Sequence, residues 1–328
     1  MAINLGSLGQ LAIDLNTSAH KLRKDLLRMP LIGCKTTFDH MTLRPGLRSA
    51  ETVGELGGDT QFGPYSNSYK DSNNITINPR TLEVFMGSVM KDFDPNEVAA
   101  SIWGSAITKG EGLKNTEIIA QILPFIMGKL GKNLNASIWG ATRNASGHTT
   151  DDLFNGFDTI TATEIAANKI AASEGNFQDL TSAITKGTAA GTVDAVKAFV
   201  QAAADELQGI EIEGGDAPKL YMPYWLFNQY NLDYQKTVGV QLYNKEYTKQ
   251  MVEGTNVEMV PLVNKKNSSY IHLSTKNNML IGVNQVGEEE TIQVDRFSAF
   301  VLTLSATLFF GTQFESISKE RLCVGKIQ

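Results

Sequence analysis

The segment from Thr42 to Tyr69 constrains the fold more than any other part of the chain. It is rich in Gly, Ser, Asn and Pro, and strand-like runs flank it over Lys35–Leu43 and Thr81–Met90. Three apolar residues of the second run recur at every second position and would share one face of a strand: Leu82, Val84 and Met86. The pattern predicts a long two-stranded ribbon with a loop at its end. Because an isolated ribbon is only marginally stable in water, we expect this one to lie on another surface.

Helical patterns follow the ribbon. Asp94-Pro95-Asn96-Glu97 predicts a helix start, because Asp94 can cap, proline suits the first helical position and Glu97 completes a capping box. A longer pattern over residues 113–138 would span about 35–40 Å as a helix. Pro124 lies inside it and is expected to bend it, because proline removes a backbone hydrogen bond. Residues 161–208 are Ala-rich and are also predicted to be helical.

From Val257 onward the chain changes to strand-like patterns. The predicted strands are Glu258–Val263, Tyr270–Ser274, Met279–Val283, Thr291–Asp295, an alternating run over 300–310, and Leu322–Val324. Helices in the middle and strands near both ends predict an α+β fold, in which the early and late strands could share a sheet.

Composition and charge exclude several classes of protein. The chain has 328 residues, of which 42% are hydrophobic and 20% are charged, as in an ordinary globular protein. Its formal net charge of −6 argues against a protein whose main task is to coat nucleic acid. A basic cluster near the start (Lys21, Arg23, Lys24, Arg28) is either a solvated helix face or a DNA contact.

Targeting and redox signals are absent from the sequence. Cys34 and Cys323 lie far apart and belong to no CxxC motif, which predicts two reduced thiols. The first fifteen residues lack the pattern of a signal peptide. The most apolar stretch, 299–310, is too short to span a bilayer. We therefore expect a protein made in the cytoplasm and not bound to a membrane.

Motifs that carry enzyme chemistry are also absent. The sequence has no GxSxG, HExxH or GxGxxG, and Gly128-Lys129 lacks the following Ser or Thr of a phosphate-binding loop. No catalytic residue, cofactor or metal ligand is predicted. Two alternatives stay open: a cysteine hydrolase, in which the fold would bring Cys34 to a histidine, and a ligand-binding module. The module would use five aromatic residues, which could instead pack in a core: Tyr221, Tyr224, Trp225, Phe227 and Tyr230.

Several stretches, taken in order, carry a resemblance to a known family. They are Arg80–Phe85, Phe93–Glu97, Ile118–Gly140, Leu153–Phe157, Lys219–Pro223, Val257–Leu262, Ile271–Met279 and Phe310–Phe314. Together they resemble the major capsid proteins of tailed bacteriophages, which have the HK97-like fold. The likeness is closest to capsid proteins of phages that infect Bacteroides-type hosts.

The resemblance implies a division of the chain into named parts. An N-terminal arm would cover 1–34 and the extended loop, a β-ribbon, would cover 35–94. The peripheral domain would comprise 95–150 and 285–328, with the spine helix at about 113–138. The axial domain would cover 151–284.

The resemblance also implies a function. The protein would be a structural, non-enzymatic subunit that assembles as pentamers and hexamers into an icosahedral shell around packaged double-stranded DNA. Its partners would be other copies of itself, portal, scaffolding and auxiliary capsid proteins, and, weakly, DNA through the basic cluster. It would be found in the virion capsid after assembly in the host cytoplasm. An encapsulin-type nanocompartment shell is the alternative with a similar fold. The expected contacts between subunits are Leu56, Gly57, Gly58, Phe62, Tyr65, Tyr69, Arg44 and Arg48.

Overall fold

Two sheets and a separate two-stranded ribbon organise the part of the chain that the structure describes. The computed structural model describes residues 34–57, 65, 76–94, 116–210, 215–238, 250–284, 292–296 and 301–327. The strands within these ranges are β1 (Thr42–Pro45), β2 (Ala50–Gly57), β3 (Thr76–Glu83), β4 (Phe85–Phe93), β5 (Phe177–Asp179), β6 (Lys219–Pro223), β7 (Gln250–Met251), β8 (Glu258–Leu262), β9 (Tyr270–Ser274), β10 (Met279–Val283), β11 (Ile292–Arg296), β12 (Leu302–Phe314) and β13 (Leu322–Lys326). The helices are α1 (Lys35–Phe38), α2 (Thr116–Gly140), α3 (Phe157–Ala166), α4 (Thr192–Gln201), α5 (Asp205–Gly209) and α6 (Tyr224–Val238).

The first sheet has five strands and is built from both ends of the described chain. Its order is β1-β10-β12-β11, and β4 pairs with the long strand β12. In that pair Phe85 lies opposite Phe310 and Phe93 lies opposite Leu302. The prediction that early and late strands share a sheet is therefore confirmed.

The second sheet has six strands in the order β5-β13-β9-β6-β8-β7. It separates two hydrophobic clusters, because successive side chains of a strand point to opposite faces. On β6, Tyr221 joins the cluster that contains Trp139 and Phe157. Its neighbours Leu220 and Met222 join the other cluster, with α4 and α6. Helix α3 and the end of α2 therefore cover one face, and α4 and α6 cover the other.

The ribbon is formed by β2 and β3, in register from Ala50 opposite Glu83 to Gly57 opposite Thr76. A ribbon was predicted, but its first strand was wrongly placed at Lys35–Leu43. The described chain forms α1 there, because the Thr37 and Phe38 amides donate to the Cys34 carbonyl while Phe38 is buried in the core. Strand β2 instead lies inside the segment predicted to be loop.

The predicted strand Thr81–Met90 is divided at Val84. The chain leaves the ribbon there and enters the first sheet, and the Val84 amide donates to the Ser49 carbonyl at 2.8 Å. Leu82, Val84 and Met86 were predicted to share one face of a single strand. This prediction was wrong, because Leu82 and Val84 are buried while Met86 is 62% exposed.

The long helix was predicted over 113–138 and is observed as α2, with Pro124 inside it. The Ala-rich region 161–208 was predicted to be helical, but only α3, α4 and α5 are α-helical there. Between α3 and α4 the chain reverses at Asn168 and Gly175, both with positive φ, and forms β5. The prediction for the stretch between α3 and α4 was therefore wrong, since alanine content does not reveal such turns.

Strand pairing crosses two boundaries of the predicted division into domains. Strand β10 lies in the first sheet, although 151–284 was expected to be axial. Strand β13 lies in the second sheet with β9, although 285–328 was expected to be peripheral. The division itself stays a prediction. The helix predicted to follow Asp94 and most of the arm lie outside the described residues.

Candidate assembly interface

The ribbon presents one face to the body and one to solvent. Residues that alternate along its strands share a face, so Val53 and Leu82 point inward. They form a small apolar cluster with Leu280 of β10 and, less buried, Leu47. On the outward face, Ile77 is 67% exposed. This apolar cluster lies at the root of the ribbon, where β3 leads into β4.

Arg80 adds a charged contact next to this cluster. Its guanidinium donates to Glu164 Oε1 of α3 at 2.8 Å, to Gln313 Oε1 at 3.0 Å and to the Phe314 carbonyl of β12 at 3.2 Å. The side chains of Arg80 and Glu164 are only 12% and 14% exposed. A single side chain of the ribbon thus forms hydrogen bonds to both a helix and a strand of the body.

Glu55 makes a second charged contact on the same face. Its carboxylate accepts hydrogen bonds from Ser316 Oγ at 2.5 Å, Ser318 Oγ at 3.0 Å and Arg321 Nε at 3.3 Å. Burial alone would raise the pKa of Glu55, but the hydrogen bonds from these three residues outweigh burial and hold it below the usual value. The carboxylate therefore stays charged at neutral pH.

The described part of the chain includes five of the eight predicted contact residues. Leu56 and Gly57 end β2, Arg44 belongs to β1, and Arg48 lies between β1 and β2. Tyr65 is also described and is 97% exposed, as a contact with another molecule requires. The remaining contact candidates (Gly58, Phe62 and Tyr69) and the four basic residues of the arm lie outside the described residues.

A groove of about 710 Å³ lies between α2, β4 and the loop that follows α2. Apolar side chains line its walls, among them Met127 of α2 and Leu308 of β12. Met86 is also on its wall and is largely exposed. The groove contains one described histidine, His148, and one acidic residue, Asp152. Arg143, Asn133 and Thr149 also line the groove, so its wall mixes apolar and polar side chains.

A buried polar cluster was missed by the sequence analysis. Lys265 donates to Asp158 Oδ1 at 2.8 Å, to Ser268 Oγ at 2.9 Å and to His272 Nδ1 at 3.2 Å. Its ammonium lies 3.7 Å from the centroid of the Trp139 ring. Because Nδ1 accepts from Lys265, the neutral His272 ring carries its proton on Nε2, which lies 2.9 Å from Thr161 Oγ1.

Burial sets the charge states in this cluster. Burial lowers the pKa of Lys265 to about 8, although the Asp158 carboxylate partly opposes this shift. Burial, together with the Lys265 charge, lowers the pKa of His272 well below its usual value. One signal could have indicated the cluster: His272 alternates with Ile271 and Leu273, so it must face the opposite core.

Cys34 lacks the surroundings of a catalytic nucleophile. It is fully buried, burial raises the pKa of its thiol to about 12, and its sulfur donates to the Gly131 carbonyl at 3.5 Å. A nucleophilic cysteine needs a lowered pKa and access to substrate. The cysteine-hydrolase alternative thus has no support from this geometry.

The aromatic residues of the ligand-binding alternative are divided between the interior and the surface. Tyr221 and Tyr230 are buried, and Trp225 and Phe227 pack against the second cluster. The Tyr221 hydroxyl donates to the His40 carbonyl. Tyr224 is half-exposed and stacks on Phe227. These residues therefore pack as core and helix surface, not around a shared pocket.

Among the described residues, no three His, Cys, Asp or Glu side chains gather as a metal site would require. None of the helices in the described ranges combines the length and apolar character needed to cross a bilayer.

Solved structures that match this fold include a phage procapsid and the capsids of two GTA particles. The satellite phage P4 procapsid, solved with its size determination protein, matches with a TM-score of 0.55 and 11% identity over 93% of this chain and 90% of that chain. The capsid of the empty GTA particle matches with a TM-score of 0.55 and 12% identity over 90% of each chain. The capsid of the native GTA particle matches with a TM-score of 0.53 and 13% identity over 89% of each chain.

Sequence comparison adds no closer relative: no family model and no curated protein matches the chain. At such low sequence identity, the likeness to these solved structures establishes the fold alone. The α+β, HK97-like capsid fold predicted from the sequence is therefore confirmed.

Proposed function

We propose that this chain is the major capsid protein of a tailed bacteriophage, a structural subunit that assembles with copies of itself into a closed shell. The observation that carries the proposal is the ribbon, which forms a sheet of its own within an HK97-like fold. The body supports the inward face of the described ribbon, and the outward face, where Ile77 is 67% exposed, would contact a neighbouring subunit.

The shell would consist of pentamers and hexamers of this chain. Each contact between subunits is modest, and closed symmetry with many copies makes the assembly stable. The contact residues that we propose are the eight on and near the ribbon: Leu56, Gly57, Gly58, Phe62, Tyr65, Tyr69, Arg44 and Arg48. The axial and peripheral domains would keep the predicted ranges, except that β10 pairs in the first sheet and β13 pairs in the second.

The shell would enclose double-stranded DNA. The net charge of −6 favours a wall that does not grip DNA strongly, with any phosphate contacts left to Lys21, Arg23, Lys24 and Arg28. Portal, scaffolding and auxiliary proteins would be further partners, and assembly would take place in the host cytoplasm. The kinship with phages of Bacteroides-type hosts rests on the sequence resemblance alone.

Tyr65 offers a direct test of this proposal. Since its side chain is 97% exposed in the subunit, Tyr65→Ser should leave the unfolding midpoint unchanged. It should lower the yield of large particles in sedimentation velocity if Tyr65 contacts a neighbour. An unchanged yield would remove Tyr65 from the interface.

The contents of the particles distinguish a phage capsid from the encapsulin-type alternative, because a capsid encloses nucleic acid and a nanocompartment encloses a protein cargo.

A further inference from the structure

The inward face of the ribbon changes character along its length. At the root, Leu82 and Val53 are buried against Leu280. The next inward positions are Arg80, opposite Val53, and Glu55, opposite Asn78. The apolar part is small, so it fixes where the ribbon leaves the body but leaves its direction weakly determined. Arg80 is level with Val53 across the ribbon, Glu55 lies one inward position farther out, and both contact other elements of the body.

Arg80 and Glu55 hold the ribbon at two separate points. The register places their pairs two residues apart on one face, which is about 7 Å along a strand. Arg80 contacts α3 and the end of β12, whereas Glu55 contacts the segment between β12 and β13. Two attachment points in line with the ribbon axis fix a direction, which one point cannot do.

Arg80 and Glu55 each make three hydrogen bonds with the body. Arg80 makes three hydrogen bonds in a largely buried setting, where charge-assisted bonds are strong. Glu55 accepts three, two of them from serine hydroxyls whose segment is shaped around it: Ser316 Oγ also lies 3.1 Å from Ser318 Oγ. These hydrogen bonds distinguish the two residues from an ordinary exposed ion pair, which contributes little.

We propose that Arg80 and Glu55 are positioning residues that set the direction in which the ribbon leaves the body, and so determine which surface of a neighbouring copy it reaches. The second clause rests on the proposed shell function, whereas the first concerns the isolated subunit. The two can therefore be tested separately. The apolar cluster at the root fixes the point at which the ribbon leaves the body, and the two charged contacts fix its direction.

The test measures ribbon direction by electron spin resonance distances in the full-length chain. Spin labels would be placed at Ile77→Cys on the outward face of the ribbon and at Lys132→Cys on the exposed side of α2. The native Cys34 and Cys323 are buried and should not take up label in the folded chain. The unchanged background should give one narrow distance distribution.

Arg80→Met combined with Glu55→Gln removes both charged contacts with little change in side-chain size. We expect the distance distribution to broaden roughly twofold or more, as a segment that has lost its attachments samples more positions. Glu83→Gln, on the exposed face of β3, is the matched control and should leave the distribution unchanged. Arg80→Lys keeps the charge but not the planar fork, and should lie between the two. A distribution that stays as narrow as in the background overturns the proposal.

Particle formation is measured on the same proteins. If the unlabelled natural chain assembles and the double variant gives aberrant or fewer particles, the full proposal is supported. If the double variant assembles as the natural chain does despite a broadened distribution, the link from ribbon direction to neighbour choice is wrong. If the natural chain forms no particles even with scaffolding protein from the same genome supplied, while the distribution still broadens, the shell function fails and the positioning role stands.

Discussion

The Lys265 ammonium and the Asp158 carboxylate form a 2.8 Å ion pair inside the protein, where the Lys265 side chain is entirely shielded from solvent. Asp158 belongs to the first turn of α3, and Lys265 follows β8 in a short 3-10 turn. The pair therefore ties the second sheet to the helices that cover one of its faces. Its role is to join these parts of the fold.

Asp158→Asn should destabilise the protein strongly. Removing one member of a buried pair leaves the other without its counter-charge and costs about 3 kcal/mol or more. Urea unfolding of the full chain measures the change. The matched control is Lys169→Met: Lys169 lies 3.7 Å from Glu164, is 64% exposed and should contribute about 0.5 kcal/mol or less. Equal effects of the two changes would contradict the role given to the buried pair.

His272 should make the folded protein sensitive to acid. Burial and the Lys265 charge lower its pKa below the unfolded value of 6.5, so below that pH the unfolded chain binds a proton that the folded chain does not. The free energy of unfolding is fully retained above pH 6.5 and falls as the pH drops below it, by about 1.4 kcal/mol per unit from this group. His272→Gln should remove that part of the slope between pH 6.5 and 5.

The control for the acid slope is His148→Gln, since His148 lies exposed on the loop after α2. It should leave the pH dependence of the urea midpoint as it is in the natural chain. An identical slope in the His272→Gln protein would show that the acid sensitivity arises elsewhere.

Gly311 of β12 lies where the end of the ribbon crosses the first sheet. A Cβ at this position would lie 1.9 Å from the Glu83 carbonyl oxygen, and the contact involves backbone that cannot rotate away. Gly311→Ala should therefore cost about 2–4 kcal/mol. Gly128→Ala is the matched change in α2, where nothing lies within 4 Å of the added carbon. It should stabilise the helix by about 0.5–1 kcal/mol. Thermal and urea unfolding would reveal opposite signs, and a tolerated Gly311→Ala would contradict the close crossing.

The two cysteines should be unreactive in the folded chain. Burial raises the pKa of both thiols to about 12, so at pH 8 the reactive thiolate is scarcer than at an exposed cysteine by about a thousandfold. Reaction with a disulfide reagent should be slow until urea unfolds the protein. Cys34→Ser should still assemble. Rapid modification of the native protein would reopen the cysteine-hydrolase alternative.

The sequence determined the parts of the fold that depend on local, strongly periodic patterns. Helix α2 and the strands from β8 to β12 carry such patterns over many residues, and their predicted bounds lie within about four residues of the observed ones. The early and late strands were also correctly expected to share a sheet. The likeness to capsid proteins came from the order of these elements.

Errors arose where distant contacts decide the local structure. Strand β2 is rich in glycine and looks like loop, yet Gly54 fits opposite Pro79 because a Cβ there would lie 2.4 Å from the Asn78 carbonyl oxygen. Arg80, Glu55 and Lys265 carry no motif, since their charged partners lie far away in the chain. Only the folded chain brings them together. For that reason the positioning and joining residues could not be inferred from periodicity.

The most direct measurement of the central claim is negative-stain microscopy with light scattering on the purified full-length chain, over a range of salt and protein concentrations. The account predicts closed particles, or rings of five and six subunits. A single small species that stays monodisperse under all conditions, with scaffolding protein from the same genome also supplied, would contradict the proposal that this chain builds a shell.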